Sequence, residues 1–292
     1  FTKYIEIASP IINLAIKMEL KNERSEYLLN SRGINLYSVE WHPYSTKIKA
    51  IVYVCYGYAE HMHSGYQETL AEPLNEIGCM VCGHDYQGHG RSQGDRGRFA
   101  SLNQIVEDVI MHIHLLKCRY PNFPFLIFGC SFGGIVAVQA ATEYPNLFNG
   151  IILESPAVDF IWNLKTIFLI SLGRCLGLFC PCIVVKRFSD SLSHSDKYRI
   201  QILTAGTARF LINSTLEIKN QLTKVSIPIF VALSKFDNLI PYQTTVKLVN
   251  LSPSKDKSVK IYNNSQHNLR FDNDFDRIHF LNDLKEWLVA RI

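Results

Sequence analysis

A serine hydroxyl attacks a carbonyl carbon only when a base removes its proton. The chain carries a serine in the setting that this chemistry requires. Ser131 stands at the centre of Gly129-Cys130-Ser131-Phe132-Gly133, between an apolar run at 123–128 and a helix-like run at 134–143. Strand, sharp turn and helix with serine at the apex make a nucleophile elbow. The flanking glycines leave room where a side chain would strike the neighbouring strand or helix. The strained turn holds the hydroxyl clear, and the helix aims its N-terminus at the place where negative charge develops.

The matching base is a histidine held by a carboxylate, and with an elbow serine the chain order is serine, acid, histidine. Of ten histidines, His267 and His279 follow a late strand. His267 lies in a polar loop, Asn263-Asn264-Ser265-Gln266-His267, and is assigned as base. His279 falls in the apolar-periodic helix 275–288 and reads as structural. Asp237 directly follows the strand-like run 227–233 and is assigned as the acid that orients His267. Asp272, Asp274 and Asp276 compete by proximity but read as a solvated acidic run opening the last helix. Two backbone N–H groups must receive the oxyanion. They are expected at Phe132, after the nucleophile, and at Tyr58, in the loop after the third strand.

Positioning these groups calls for a sheet. Strand-like runs recur at 34–41, 48–55, 79–83, 125–129, 150–154, 227–233 and 259–262, with helix-period segments between most of them. One such segment, 101–120, lines up Leu102, Ile105, Val106, Val109, Ile110, Ile113 and Leu116 on one face. Ser101 with Gln104 forms a capping box at its start, and Pro121 stops it. Apolar strands alternating with helices predict an α/β fold: a mostly parallel twisted sheet with helices on both faces. The arms around Leu28 and Leu36 read as an antiparallel hairpin at its edge. From Val158 to Leu222 no convincing strand is seen. This stretch reads as a helical insertion, a cap, after the sixth strand. The expected organisation is an N-terminal extension at 1–24, a core at 25–157 and 223–292, and the cap at 158–222.

Composition narrows the function classes. The 292 residues carry a net charge of +4 without a Lys/Arg block, so nucleic acid is not an expected partner. No His/Cys cluster has zinc spacing, and neither a metal nor a cofactor is expected. Eight cysteines scattered partly through apolar runs read mostly as reduced core residues of a cytoplasmic protein. Cys79 and Cys82, three apart on a strand, face opposite ways and cannot readily pair. The segment 166–185 is long and apolar, but Arg174, Gly173, Gly177 and Pro181 argue against a membrane span. The chain opens at Phe1, so its natural start is expected to lie upstream. The stretch 5–16, broken by Glu6, Pro10 and Asn13, reads as a helix packed on the body and not as a signal peptide.

Three stretches resemble the monoglyceride lipase, or lysophospholipase-like, branch of the α/β-hydrolases. Tyr56-Gly57-Tyr58-Ala59-Glu60-His61 is similar to that family's His-Gly-x-x-Glu-His loop. Gly83-His84-Asp85-Tyr86-Gln87-Gly88-His89-Gly90-Arg91-Ser92 resembles its Asp-x-x-Gly-His-Gly-x-Ser segment, in which the histidine is structural; His89 is therefore expected to brace loops. The third stretch runs from Tyr120-Pro121 through the elbow to Glu154-Ser155-Pro156. The resemblance covers the chain from about residue 25 onward and implies an α/β-hydrolase fold with a cap after the sixth strand. It also implies a substrate-binding role for Glu60 at the alcohol head. Tyr56 and Cys130 replace family histidines.

The implied activity is hydrolysis of a monoacylglycerol or similar single-chain lipid ester through an acyl-serine intermediate. The apolar cap would bury the acyl chain and make peripheral contact with a membrane. A lysophospholipase or general carboxylesterase shares these residues. A silent binding module would have lost a member of the triad, and none is lost.

Overall fold

A computed structural model describes residues 22–44, 47–99, 101–161, 164–188 and 196–292. Nearly all of the expected N-terminal extension, including the stretch 5–16, lies outside them. Eight strands form one sheet: β1 (Glu23–Leu29), β2 (Asn35–Trp41), β3 (Ala50–Cys55), β4 (Cys79–His84), β5 (Phe125–Cys130), β6 (Gly150–Glu154), β9 (Ile229–Ser234) and β10 (Lys257–Tyr262), in the order β1-β2-β4-β3-β5-β6-β9-β10. β2 runs antiparallel to both of its neighbours; all other pairs are parallel. The edge hairpin expected from the sequence is present and antiparallel, and its register sets Leu28 opposite Leu36. Every residue of β3, β5, β6 and β9 is buried, which explains why these strands are apolar on both faces rather than alternating.

Among the described residues the α-helices are α1 (Glu72–Asn75), α2 (Leu102–Arg119), α3 (Phe132–Glu143), α4 (Leu164–Phe179), α5 (Ala205–Ile218), α6 (Tyr242–Leu251) and α7 (Asp274–Val289). In α2 the Ser101 hydroxyl accepts from the Gln104 N–H at 3.2 Å, while the Gln104 side-chain oxygen is buried without a partner. The capping box is thus half made. The seven residues assigned to the apolar face of α2 are all buried.

The insertion departs from the all-helical expectation. Between α4 and α5 lies an antiparallel ribbon of β7 (Val184–Arg187) and β8 (Ile202–Thr204). The two arms are far apart in sequence and β8 is three residues long, so neither presents a period of its own. No helix among the described residues is long and apolar enough to cross a membrane. The cysteines divide evenly rather than lying mostly in the core: Cys55, Cys79, Cys82 and Cys130 are buried, whereas Cys118, Cys175, Cys180 and Cys182 are exposed.

Candidate active site

β5 ends at Cys130 and α3 begins at Phe132, so Ser131 alone makes the turn. Its φ of 51° and ψ of −115° are strained for a residue with a side chain. Three backbone hydrogen bonds hold the turn: Ser131 N–H to the Glu154 carbonyl at 3.0 Å, and the N–H groups of Gly134 and Ala157 to the Ser131 carbonyl at 3.0 and 2.9 Å. A Cβ on Gly133 would lie 1.9 Å from the Cys55 carbonyl oxygen, so the helix can start here only with glycine.

The assigned base and acid reach this turn from the ends of β10 and β9. His267 Nε2 lies 2.9 Å from Ser131 Oγ, and His267 Nδ1 lies 2.7 Å from Asp237 Oδ2. The other Asp237 oxygen accepts from the N–H groups of Leu239 and Ile240 at 2.8 and 2.9 Å, which fixes the carboxylate. Burial works against a charge on His267. The hydrogen bond to Asp237, together with the charges of Asp237, Glu154 and Glu60, outweighs it and holds the imidazole above its ordinary pKa.

Of the competing acids, Asp272 and Asp274 are exposed, as a solvated run would be, and Asp276 is not. Asp276 is 2% exposed and accepts from the Asn264 N–H at 2.7 Å and from Asn264 Nδ2 at 2.9 Å. Asp272 Oδ2 accepts from the N–H groups of Gln266 and Asn268 at 3.1 and 2.8 Å. Both organise the loop that carries His267, because that loop's unpaired N–H groups need acceptors and the start of α7 supplies them. Asp274 is exposed and pairs with Arg277 at 2.8 Å, one turn along the helix. His279 is exposed on α7 with Nδ1 2.7 Å from the Phe275 carbonyl, far from a core role.

The loop after β3 passes against the serine. A Cβ on Gly57 would stand 3.5 Å from Ser131 Cβ and 3.1 Å from Glu60 Oε2. Glu60 is buried, and its Oε2 accepts from the Gly57 N–H at 2.9 Å and the Tyr66 hydroxyl at 2.7 Å. That oxygen shapes the loop. With the Gly57 N–H taken, the next donor along the loop is that of Tyr58. Phe132, as first residue of α3, has its N–H outside the helix's own ladder. Tyr56 is buried: its hydroxyl accepts from the Tyr86 N–H and its ring lies 4.2 Å from that of Tyr86. Asp85 joins the two loops by accepting from the N–H groups of Met62 and Arg91, both at 2.8 Å. His89 stacks on Phe99 at 4.3 Å with Nδ1 3.1 Å from the Gln87 carbonyl.

The insertion is sewn to the same loop. Tyr58 donates its hydroxyl to the Ile202 carbonyl at 3.1 Å, the Ile200 N–H donates to the Ala59 carbonyl at 3.1 Å, and His61 Nε2 lies 2.6 Å from Asp196 Oδ2. An aromatic wall stands beside the elbow, with Phe99 4.9 Å from both Phe132 and Phe210.

The Hydrolase_4 family profile, described as serine aminopeptidase, S33, matches residues 46–274. The chain belongs to this family. It is a serine hydrolase of the α/β-hydrolase fold. Human monoglyceride lipase is 29% identical over 82% of this chain and 82% of its own length. The monoglyceride lipase homolog of Monkeypox virus is 28% identical over 88% of this chain and 95% of its own. A soluble variant of monoglyceride lipase from Saccharomyces cerevisiae, crystallised with a substrate analog, superposes with a TM-score of 0.77. It is 18% identical and covers 91% of this hydrolase and 94% of its own chain, a likeness of fold.

Sequence reasoning did not find Tyr66, Asp272, Asp276 or the buried pair Glu154 and Arg270 as parts of this site. Two signals were present. A glutamate closes the apolar run 150–154, and an arginine stands three residues after His267.

Proposed function

We propose that this hydrolase cleaves the ester bond of a monoacylglycerol or similar single-chain lipid through an acyl-serine intermediate. The observation that carries the proposal is the unbroken hydrogen-bond line from Ser131 Oγ through His267 to Asp237, at 2.9 and 2.7 Å. Ser131 Oγ attacks the carbonyl carbon while His267 Nε2 takes its proton. The N–H groups of Tyr58 and Phe132 receive the oxyanion, each contributing about 3 kcal/mol to transition-state stabilisation. His267 then delivers the proton to the leaving alcohol. Water, activated by the same nitrogen, releases the fatty acid.

The lipid part of the reading draws support from the relatives' names and from the insertion. Phe168 and Phe179 are 65% and 78% exposed, and Leu172, Leu178, Ile183, Val184 and Val185 are also exposed. The segment 164–188 carries Lys165, Arg174, Lys186 and Arg187 and no acidic residue. Apolar side chains bordered by cations suit peripheral contact with a lipid surface. Each methylene that moves from water into such a site contributes about 0.8 kcal/mol. Four exposed thiols suit a reducing compartment such as the cytoplasm.

A chain-length series of monoacylglycerols, run beside lysophosphatidylcholine and an aminoacyl amide, tests the proposal. Activity should climb with acyl length, favour the glycerol ester, and vanish in Ser131→Ala together with labelling by a fluorophosphonate. A flat series, or preference for the amide, refutes the lipid reading; preference for lysophosphatidylcholine reassigns the head group. An unlabelled native enzyme refutes catalysis at Ser131.

A further inference from the structure

Behind the elbow lies a fully buried ion pair that the reaction above does not use. Glu154, the last residue of β6, is the register partner of Cys130, and its carbonyl holds the Ser131 N–H. Its carboxylate and the Arg270 guanidinium are both without exposure. Glu154 Oε2 accepts from Arg270 Nε at 2.6 Å, and Oε1 accepts from the Arg270 backbone N–H at 3.3 Å. Arg270 Nη1 donates to Thr69 Oγ1 at 3.1 Å, and the guanidinium lies 4.0 Å from the Tyr66 ring centre. One carboxylate therefore grips both the side chain and the main chain of a residue three places past His267.

Such a pair is a poor device for stability. Desolvating two charges costs about as much as their attraction returns, and an apolar pair of equal bulk often serves as well. Its placement suggests another use. The loop carrying His267 is held from outside by three carboxylates: Asp276 at Asn264, Asp272 at Gln266 and Asn268, and Glu154 at Arg270. Asp272 and Asp276 lie next to the loop in the chain. Glu154 instead belongs to the strand beside the nucleophile. It is the grip that ties base to serine.

We propose that Glu154 and Arg270 are positioning residues of the reaction, fixing His267 against Ser131 by clamping the base's loop to the strand that braces the elbow. The charge of Glu154 also acts on His267, as do those of Asp237 from the loop after β9 and Glu60 from the loop after β3. Arg270 is the cation on the loop itself, and it faces Glu154, Tyr66, Cys130 and Glu60.

The proposal rests on His267 as base, so Ser131→Ala and His267→Ala are measured alongside. The test pair is Glu154→Leu/Arg270→Met, an apolar replacement chosen to fold, and Glu154→Gln, which keeps the shape and drops the charge. Both are assayed on a soluble short-chain ester, with a thermal melt and a pH profile. In the double variant the melt should stay near the parent's while kcat falls about 10- to 100-fold and KM holds, the signature of a displaced base. In Glu154→Gln, kcat falls and the acid limb of kcat/KM moves to lower pH, because the charge of Glu154 no longer acts on His267. A folded double variant with the parent's kcat overturns the clamp. If the double variant does not fold, Glu154→Gln decides: an unchanged kcat and pH profile overturns it. Turnover persisting in Ser131→Ala or His267→Ala would instead refute the underlying mechanism.

Discussion

Acid should weaken this protein well before its carboxylates titrate, because three histidines are locked in the core. His84 ends β4 with its Nδ1 2.6 Å from the Tyr53 hydroxyl, and His112 on α2 approaches the same hydroxyl at 3.2 Å. Burial pushes the pKa of His84 down to about 3 and that of His89 down to about 4. Burial, together with the neighbouring His84, drives His112 lower as well. Each imidazole is neutral in the folded state and regains an ordinary value of about 6.5 on unfolding. The unfolded chain then binds more protons, so the contribution is fully present above about pH 6.5 and is lost as pH falls toward the folded values. At about pH 5 the linkage costs about 2 kcal/mol for His84 and as much for His89. His112 adds to the same side. His267 has the opposite sign: its raised value adds stability below about pH 6.5 that fades as pH rises through the folded value. Glu40 and Asp276, held below their usual range, act only at lower pH. The loss of about 4 kcal/mol from His84 and His89 together is a large share of a typical 5–15 kcal/mol stability. Urea unfolding at about pH 8 and about pH 5, with a slope near 3 kcal/mol/M, should show the midpoint moving by over about 1 M. His84→Gln can still meet the Tyr53 hydroxyl but cannot titrate, and should shrink the pH-dependent loss by about 2 kcal/mol. An unmoved midpoint, or a loss undiminished in the variant, would refute neutral burial of these imidazoles.

Further outcomes concern the site. The acid limb of kcat/KM should lie above the ordinary imidazole value of about 6.5, since His267 must be neutral to accept the serine proton; a limb below that value contradicts the hold of Asp237. Asp237→Asn should leave the fold intact and lower kcat by about 10³- to 10⁴-fold, as the wrong tautomer faces Ser131; wild-type turnover would free the reaction from that carboxylate. Gly133→Ala places a methyl 1.9 Å from the Cys55 carbonyl oxygen and should destabilise by about 3 kcal/mol or more, read from a thermal melt. Tyr66→Phe removes one of two donors to Glu60 Oε2 and should lower kcat about tenfold at similar KM by loosening the loop that carries the Tyr58 N–H; unchanged steady-state kinetics would show the loop to be held without it.

Local pattern made much of this protein legible. A serine between glycines at a strand end, a polar loop after a late strand and an aspartate just past another are statements about neighbours in the chain. The central strands and α2 declare themselves in the same way, because hydrophobic period and capping are local properties. The insertion's ribbon was not legible, since three residues of β8 show no period until β7 lies beside them. Nor was the burial of Asp276, which looks like any helix-opening acid until the loop above it turns inward.

Ser131, Asp237 and His267 were readable because each sits where a strand ends, and a parallel sheet gathers its strand ends on one edge. The supports around them belong to another level. Glu154 and Arg270 are 116 positions apart and His61 and Asp196 are 135 apart; the strand order and the path of the insertion bring them together. A charge in an apolar run carries no mark of its partner, because the free energy that selects the partner comes from desolvation, and desolvation exists only once the chain has closed around both.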